Sequence, residues 1–146
     1  MKGFTTTITV DQSPAEAFAA INDVRRWWSG EVEGDAAQLG AEFTYRYKDI
    51  HRSTQRVTEF VPGKKVVWHV SASRLSFTRD KHEWDDTDIV FEISRKKGKT
   101  EIRFTHAGLV PEFECYKACT SGWTSLITGN LSALIATRER QPDVFA

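Results

Sequence analysis

The chain has 146 residues, of which 40% are hydrophobic and 12% aromatic, and its 20 basic and 20 acidic residues cancel. This length and composition predict one domain over residues 1–146 that builds its own core, and the balanced charge argues against nucleic acid or a membrane surface as a partner. No apolar run is long enough for a signal peptide or a membrane-spanning helix, so we expect a cytoplasmic protein.

The N-terminal part predicts a strand followed by two short helices. Phe4 to Val10 alternates weakly between apolar residues and threonines, as a β-strand does. Ser13 is placed as a helix N-cap, with Pro14 at the first position and Glu16 three residues on, which makes a capping box. Two arginines and two tryptophans follow at 25–28. Adjacent tryptophans cannot share one helix face, so we expect one in the core and the other near a pocket entrance.

Residues 40–107 show the two-residue period of β-strands. Apolar side chains alternate in five runs, at 43–47, 53–61, 66–70, 89–93 and 102–106. Pro62-Gly63 and Lys97-Gly98 mark turns between neighbouring runs. Since short turns join consecutive strands in a meander, we predict one antiparallel sheet of six or seven strands.

A long helix is predicted from Pro111 to about Arg138, because proline suits the first turn of a helix. With successive residues about 100° apart, one side is apolar. That side carries Tyr116, Cys119, Trp123, Leu126, Ile127, Leu131 and Leu134, with Asn130 near its centre. A flank of small residues contains Gly122 and Gly129, each of which costs a helix about 1 kcal/mol relative to alanine. Either another backbone approaches closely there, or a curved sheet leaves a gap beside the helix.

Five stretches of the chain resemble one known family. They read TVDQSPAEAFAAINDVRRWWSGEVEG, FTYRYKDIHRSTQRVTEFVPGKKVVWHV, EWDDTDIVFEI, GKTEIRFTHAGLVPEFECY and CTSGWTSLITGNL. These stretches resemble the SRPBCC or START-like superfamily, and within it the bacterial proteins related to the activator of heat-shock protein 90 ATPase. The resemblance implies an α+β helix-grip fold, in which a curved antiparallel sheet surrounds a long C-terminal helix and two short helices follow the first strand. It also implies a cavity between helix and sheet that takes a hydrophobic or amphipathic ligand.

Large side chains are expected to face such a cavity. The predicted ligand-binding residues are Tyr45, Trp68, Phe104, His106, Trp123, Ile127 and Asn130. The aromatic residues supply burial, while Tyr45, His106 and Asn130 orient polar atoms of the ligand. His106 shares the inward phase of Ile102 and Phe104, and it is either a ligand anchor or a hydrogen-bonded structural histidine. Asn130 either faces a wet cavity or bonds a neighbouring backbone group.

Neither a catalytic motif nor a metal-ligand spacing occurs in the chain, so we predict no catalytic residue, no metal and no cofactor. His51 and His82 are expected in turns and His69 toward solvent. An enzyme of the cyclase or hydrolase type is kept as an alternative, with His106 or Glu83 as its acid–base residue.

A chaperone contact or a homodimer is a further alternative, for which an exposed Trp27 or Trp28 would be the footprint. The two cysteines, Cys115 and Cys119, have neither a redox nor a zinc spacing. We expect them to be small buried thiols.

Overall fold

The computed structural model describes residues 3–142, which form seven strands and several helical segments. The strands are β1 (Gly3–Val10), β2 (Glu31–Gly34), β3 (Glu42–Tyr47), β4 (His51–Val61), β5 (Lys65–Leu75), β6 (Asp88–Lys96) and β7 (Lys99–Ala107). The helical segments are α1 (Pro14–Asn22), a 3₁₀ turn (Val24–Arg26), α2 (Tyr116–Thr124), a π-helical segment (Ser125–Leu131) and α3 (Ser132–Thr137). The last three follow one another without a break and are called the long helix below. Within residues 3–142, every helix is too short or too polar to traverse a bilayer.

The seven strands form one antiparallel sheet in the order β1-β7-β6-β5-β4-β3-β2. Strands β2 to β7 pair with their neighbours in the chain, as a meander requires, and β1 pairs with β7 along its whole length. The predicted α+β helix-grip fold is confirmed. The two-residue period did not predict β2, which is only four residues long.

Helix α1 begins where the capping box predicts. The Ser13 hydroxyl accepts a hydrogen bond from the Glu16 backbone N–H at 3.1 Å, and the Glu16 carboxylate accepts one from the Ser13 N–H at 3.2 Å. These two bonds satisfy donors that the first turn of a helix leaves unpaired. The helix buries Phe18 and Ile21 in the core. The local sequence therefore determines both where the helix begins and which of its faces packs in the core.

Strands β4 and β5 are the longest, with 11 residues each, and their pairing is interrupted twice. The register shifts between Thr54 and Gln55 and again between Val57 and Glu59. Register shifts of this kind, such as β-bulges, bend a strand and increase its local twist. The sheet is therefore curved near its middle, with Ser53, Gln55 and Val57 on the buried face.

The long helix begins at Tyr116, so the predicted start at Pro111 is wrong. Residues 110–115 form successive turns instead, with hydrogen bonds from the Phe113 N–H to the Val110 carbonyl and from the Tyr116 N–H to the Phe113 carbonyl. The helix ends at Thr137, close to the predicted end, because the next residue adopts a left-handed conformation.

The centre of the long helix is wound as a π-helix, in which each N–H bonds one residue further back than in an α-helix. This segment buries four side chains, those of Leu126, Ile127, Asn130 and Leu131. Gly129 lies on the exposed side, and a Cβ built there meets no atom within 4 Å. The prediction that a close backbone approach explains Gly129 is therefore wrong.

We predict that Gly129→Ala raises the free energy of unfolding by about 0.5–1 kcal/mol, since alanine favours the helix and meets no neighbour. Gly108→Ala is the contrasting variant. Gly108 has a φ of +97°, and its Cβ would lie 2.8 Å from Thr87 Cγ2, so that variant should unfold more easily than wild type. Urea unfolding of the three proteins measures the differences. Equal destabilisation of both variants would contradict the prediction.

Candidate functional site

An apolar cavity of about 260 Å³ lies between the long helix and strands β3 and β4. Separate parts of the chain line it: the segment after the 3₁₀ turn, β3 and the turn that follows, the first residue of β4, the β5–β6 loop and the long helix. The lining residues are Trp28, Tyr45, Tyr47, Ile50, His51, Phe77, Trp84, Ala118, Cys119, Gly122, Trp123 and Leu126. No lysine, arginine, aspartate or glutamate is among them, so the cavity is suited to uncharged matter.

Aromatic rings stacked on one another form much of the cavity wall. The rings of Trp28 and Tyr45 are nearly parallel, with centroids 4.0 Å apart, and the Tyr45 hydroxyl donates a hydrogen bond to the Ser29 carbonyl. Trp84 and Trp123 are also stacked, with centroids 5.7 Å apart. Each such pair contributes about 0.5–1.5 kcal/mol beyond its buried area. Because these rings pack against each other, they form a wall around the space.

A buried chain of hydrogen bonds supports this wall. The Trp123 indole N–H donates to His106 Nδ1 at 3.0 Å, and His106 Nε2 lies 2.8 Å from the Thr87 hydroxyl oxygen. The Thr87 hydroxyl donates its one proton to the Trp84 carbonyl at 2.6 Å. Thr87 must then accept from His106, which assigns the proton of the neutral imidazole to Nε2. Both ring nitrogens of His106 are therefore occupied by protein groups.

Two of the predicted ligand-binding residues, Tyr45 and Trp123, line the cavity. Three others, Trp68, Phe104 and Ile127, are fully buried in the core and do not line it. Strand alternation places all the strand residues of this group on the inward face. It does not distinguish a side chain that lines a space from one that fills it.

The two remaining predicted residues have polar groups that bond to protein. His106 belongs to the hydrogen-bonded chain above, and burial, with a smaller contribution from His51, lowers its pKa to about 3. The Asn130 amide donates to the Trp27 carbonyl at 3.1 Å and to the Pro142 carbonyl at 3.0 Å. Of the two readings of each residue made from the sequence, the structure contains the hydrogen-bonded one.

His51 is one of the cavity residues that the sequence analysis did not predict. It is the first residue of β4 and lines the cavity, so its predicted place in a turn is wrong. Its ring lies edge-on to Trp84, with centroids 4.4 Å apart, and burial lowers its pKa to about 4. A signal was present, because counting back in steps of two from inward Val57 through Ser53 reaches His51.

The β5–β6 loop is fastened to the start of the long helix. The Glu83 carboxylate accepts hydrogen bonds from the backbone N–H groups of Glu114, at 2.8 Å, and Cys115, at 3.1 Å. A carboxylate stabilises a helix N-terminus both by these bonds and by its charge. Glu83, the second acid–base candidate, is therefore committed to the backbone, and its neighbour Trp84 is buried and lines the cavity.

The two cysteines are buried free thiols one helical turn apart. A hydrogen bond with Cys119, followed by burial, raises the pKa of the Cys115 thiol. Since the thiolate is the nucleophile, this environment gives Cys115 low reactivity. Within residues 3–142, no three histidine, cysteine or acidic side chains are grouped so that they could hold a metal ion.

The adjacent Trp27 and Trp28 are both buried, and their rings are stacked with centroids 6.1 Å apart. Trp27 lies in the core and Trp28 lines the cavity. Neither Trp27 nor Trp28 therefore provides the exposed apolar surface that was expected for a protein contact.

The sequence matches the family model described as Activator of Hsp90 ATPase homolog 1-like protein over residues 13–136. None of the curated proteins matches this chain. The Aha1 dimer from Colwellia psychrerythraea is 21% identical, with a TM-score of 0.74 over 94% of this chain and 98% of that one. A protein from Rhizobium leguminosarum is 16% identical, with a TM-score of 0.70 over 94% and 97% of the two chains. CalU16 from Micromonospora echinospora is 15% identical, with a TM-score of 0.65 over 92% and 76%. At these identities the solved structures establish a shared fold.

We predict that the free energy of unfolding falls as the pH drops below 6.5, because His106 then takes up a proton in the unfolded chain but not in the folded one until the pH approaches about 3. The contribution of His106 is fully present above pH 6.5 and decreases by about 2 kcal/mol by about pH 5. Urea unfolding at neutral and acidic pH measures this decline, and His106→Gln should lose that part of it.

His69→Gln is the control for the pH dependence. The hydrogen bond with Asp88 raises the pKa of His69, so this outer-face histidine stabilises the fold at low pH and its removal should steepen the decline. The prediction fails if His106→Gln retains the wild-type difference between the two pH values.

Proposed function

This chain belongs to the family of Activator of Hsp90 ATPase homolog 1-like proteins, and we propose that it binds a small hydrophobic or amphipathic molecule in the cavity between the long helix and the sheet. One observation carries the proposal: large aromatic side chains surround a space of about 260 Å³ there. An engineered cavity of about 150 Å³ with an apolar lining binds benzene, so this space exceeds what a small organic molecule needs. The proposed contacts from the predicted set are Tyr45 and Trp123.

The rim of the cavity supports access for an apolar molecule. Ile50 and Phe77 line the cavity and are 42% and 46% exposed. They stand on two different loops, the β3–β4 turn and the β5–β6 loop. Exposed apolar side chains grouped beside a cavity are a common mark of a ligand-binding groove.

The hydrogen bonds of the two acid–base candidates, His106 and Glu83, favour binding over catalysis. His106 has both ring nitrogens bonded to protein, and the Glu83 carboxylate holds two backbone N–H groups. A general acid or base needs an atom within hydrogen-bond reach of the reacting group. Neither residue offers one to a molecule in the cavity.

Self-association or a chaperone contact is a second proposal. It is supported by the structure that is described as a dimer of Aha1, and by exposed Leu39 on the surface of this chain. Light scattering on the purified chain separates monomer from dimer. A monomer whose elution in gel filtration does not move to a larger size when a purified chaperone is added would contradict the second proposal.

We predict that a neutral fluorescent probe, N-phenyl-naphthylamine, binds the wild-type chain and that Gly122→Leu weakens this binding at least about tenfold. Gly122 lines the cavity, so the added side chain occupies the proposed site. Gly129→Leu is the matched control, because it makes the same change on the exposed side of the same helix, where a Cβ meets no atom. A tenfold change in affinity corresponds to about 1.4 kcal/mol of binding free energy.

Fluorescence titration measures both variants, and circular dichroism checks that both are folded. Absence of probe binding to the wild-type chain, or equal binding by Gly122→Leu and Gly129→Leu, would contradict the proposed function.

A further inference from the structure

We propose that the molecule this cavity takes is a flat, uncharged aromatic compound of about two or three fused rings, with one hydroxyl or carbonyl group hydrogen-bonded to His51. This inference rests on the proposed binding function and names the chemical class of its ligand. Size, wall shape, charge and one polar group each contribute a separate part of it.

The size follows from the volume. Benzene occupies an engineered apolar cavity of about 150 Å³, and the present cavity measures about 260 Å³. A single ring would leave much of the space empty, and the wall would lose dispersion contacts beside the unfilled part. Two or three fused rings fill it more completely.

The flat shape follows from the two sides of the cavity. The long helix contributes the large side chains of Trp123 and Leu126 beside three small residues, Ala118, Cys119 and Gly122. The strand side contributes the rings of Tyr45, Tyr47 and His51. A rigid aromatic molecule stacks on such rings and loses little conformational entropy on binding, whereas a flexible aliphatic chain loses more.

The absence of ligand charge follows from the lining. No acidic or basic side chain among residues 3–142 lines this cavity apart from His51, and burial lowers the pKa of His51 to about 4, so its ring is neutral near neutral pH. A carboxylate or ammonium group would lose its hydration there and find no counter-charge. An uncharged ligand avoids this cost.

The ring nitrogens of His51 indicate that the ligand carries one polar group. Nε2 lies 3.4 Å from the Ser53 hydroxyl, which is a weak contact, and Nδ1 has no hydrogen-bond partner in the described part of the chain. A neutral imidazole carries one donor and one acceptor nitrogen. It can therefore serve either a ligand hydroxyl or a ligand carbonyl, in contrast to His106, whose nitrogens are both occupied.

Four compounds of matched size test the chemical class. Naphthol is flat, neutral and carries a hydroxyl, naphthalene lacks the hydroxyl, decahydronaphthol is saturated and not flat, and naphthoate is charged at neutral pH. Isothermal titration calorimetry measures the affinity of each compound, including the saturated one, which has no chromophore. We expect naphthol to bind at least about tenfold more tightly than decahydronaphthol and naphthoate, a difference of about 1.4 kcal/mol.

His51→Phe tests the polar contact, because it keeps a flat ring and removes both nitrogens. We expect it to weaken naphthol binding about five- to tenfold and to leave naphthalene binding unchanged, as loss of one hydrogen bond requires. His69→Phe is the control, since that histidine lies on the outer face of the sheet, and it should change neither affinity.

The outcomes separate this inference from the proposed function. Decahydronaphthol or naphthoate binding as tightly as naphthol, or equal loss of naphthol and naphthalene in His51→Phe, overturns the inference. If the neutral probe still binds and Gly122→Leu still blocks it, the proposed function stands. If neither the probe nor any of the four compounds binds, both fail.

Discussion

The position of the long helix depends on the buried chain of hydrogen bonds that runs from Trp123 through His106 and Thr87 to the Trp84 carbonyl. It joins three elements that are distant in sequence: the helix, strand β7 and the β5–β6 loop. Every donor in it has an acceptor, and a satisfied buried network is stable because breaking any one bond leaves a polar group unpaired in a medium of low dielectric. The helix is thereby held at one height above the sheet, and the cavity lies beside this attachment.

The cavity persists because the residues on both of its sides are held in place by contacts with the rest of the protein. Trp28 stacks on Tyr45, whose hydroxyl is tied to a backbone carbonyl, so neither ring is free to turn into the space. On the other side, Glu83 holds the start of the long helix, and the Glu114 carboxylate in turn accepts from the Arg79 N–H of the β5–β6 loop. Collapse of the space would require breaking these contacts, which offsets the dispersion energy that collapse would recover.

The two faces of the sheet differ in the polar groups that they carry. Ion pairs such as Arg46 with Glu31 and Lys65 with Glu59 lie outside, where water screens them and each contributes little to stability. Inside, burial lowers the pKa of His51 and of His106, so both imidazoles are neutral near neutral pH. The result is a space lined by aromatic rings, with a single imidazole among them.

The amino-acid sequence by itself determined the elements whose causes are local: the capping box at Ser13, the two-residue period of the strands and the burial of the apolar helix face. It also placed Tyr45 and Trp123 toward the interior. Only the tertiary structure decided which inward residues fill space and which surround it, because that depends on how closely a helix and a curved sheet approach, over separations of many tens of residues. For the same reason only the structure decided between the two alternatives for His106, whose ring nitrogens are bonded to groups from other elements. It also brought His51, expected in a turn, to the cavity.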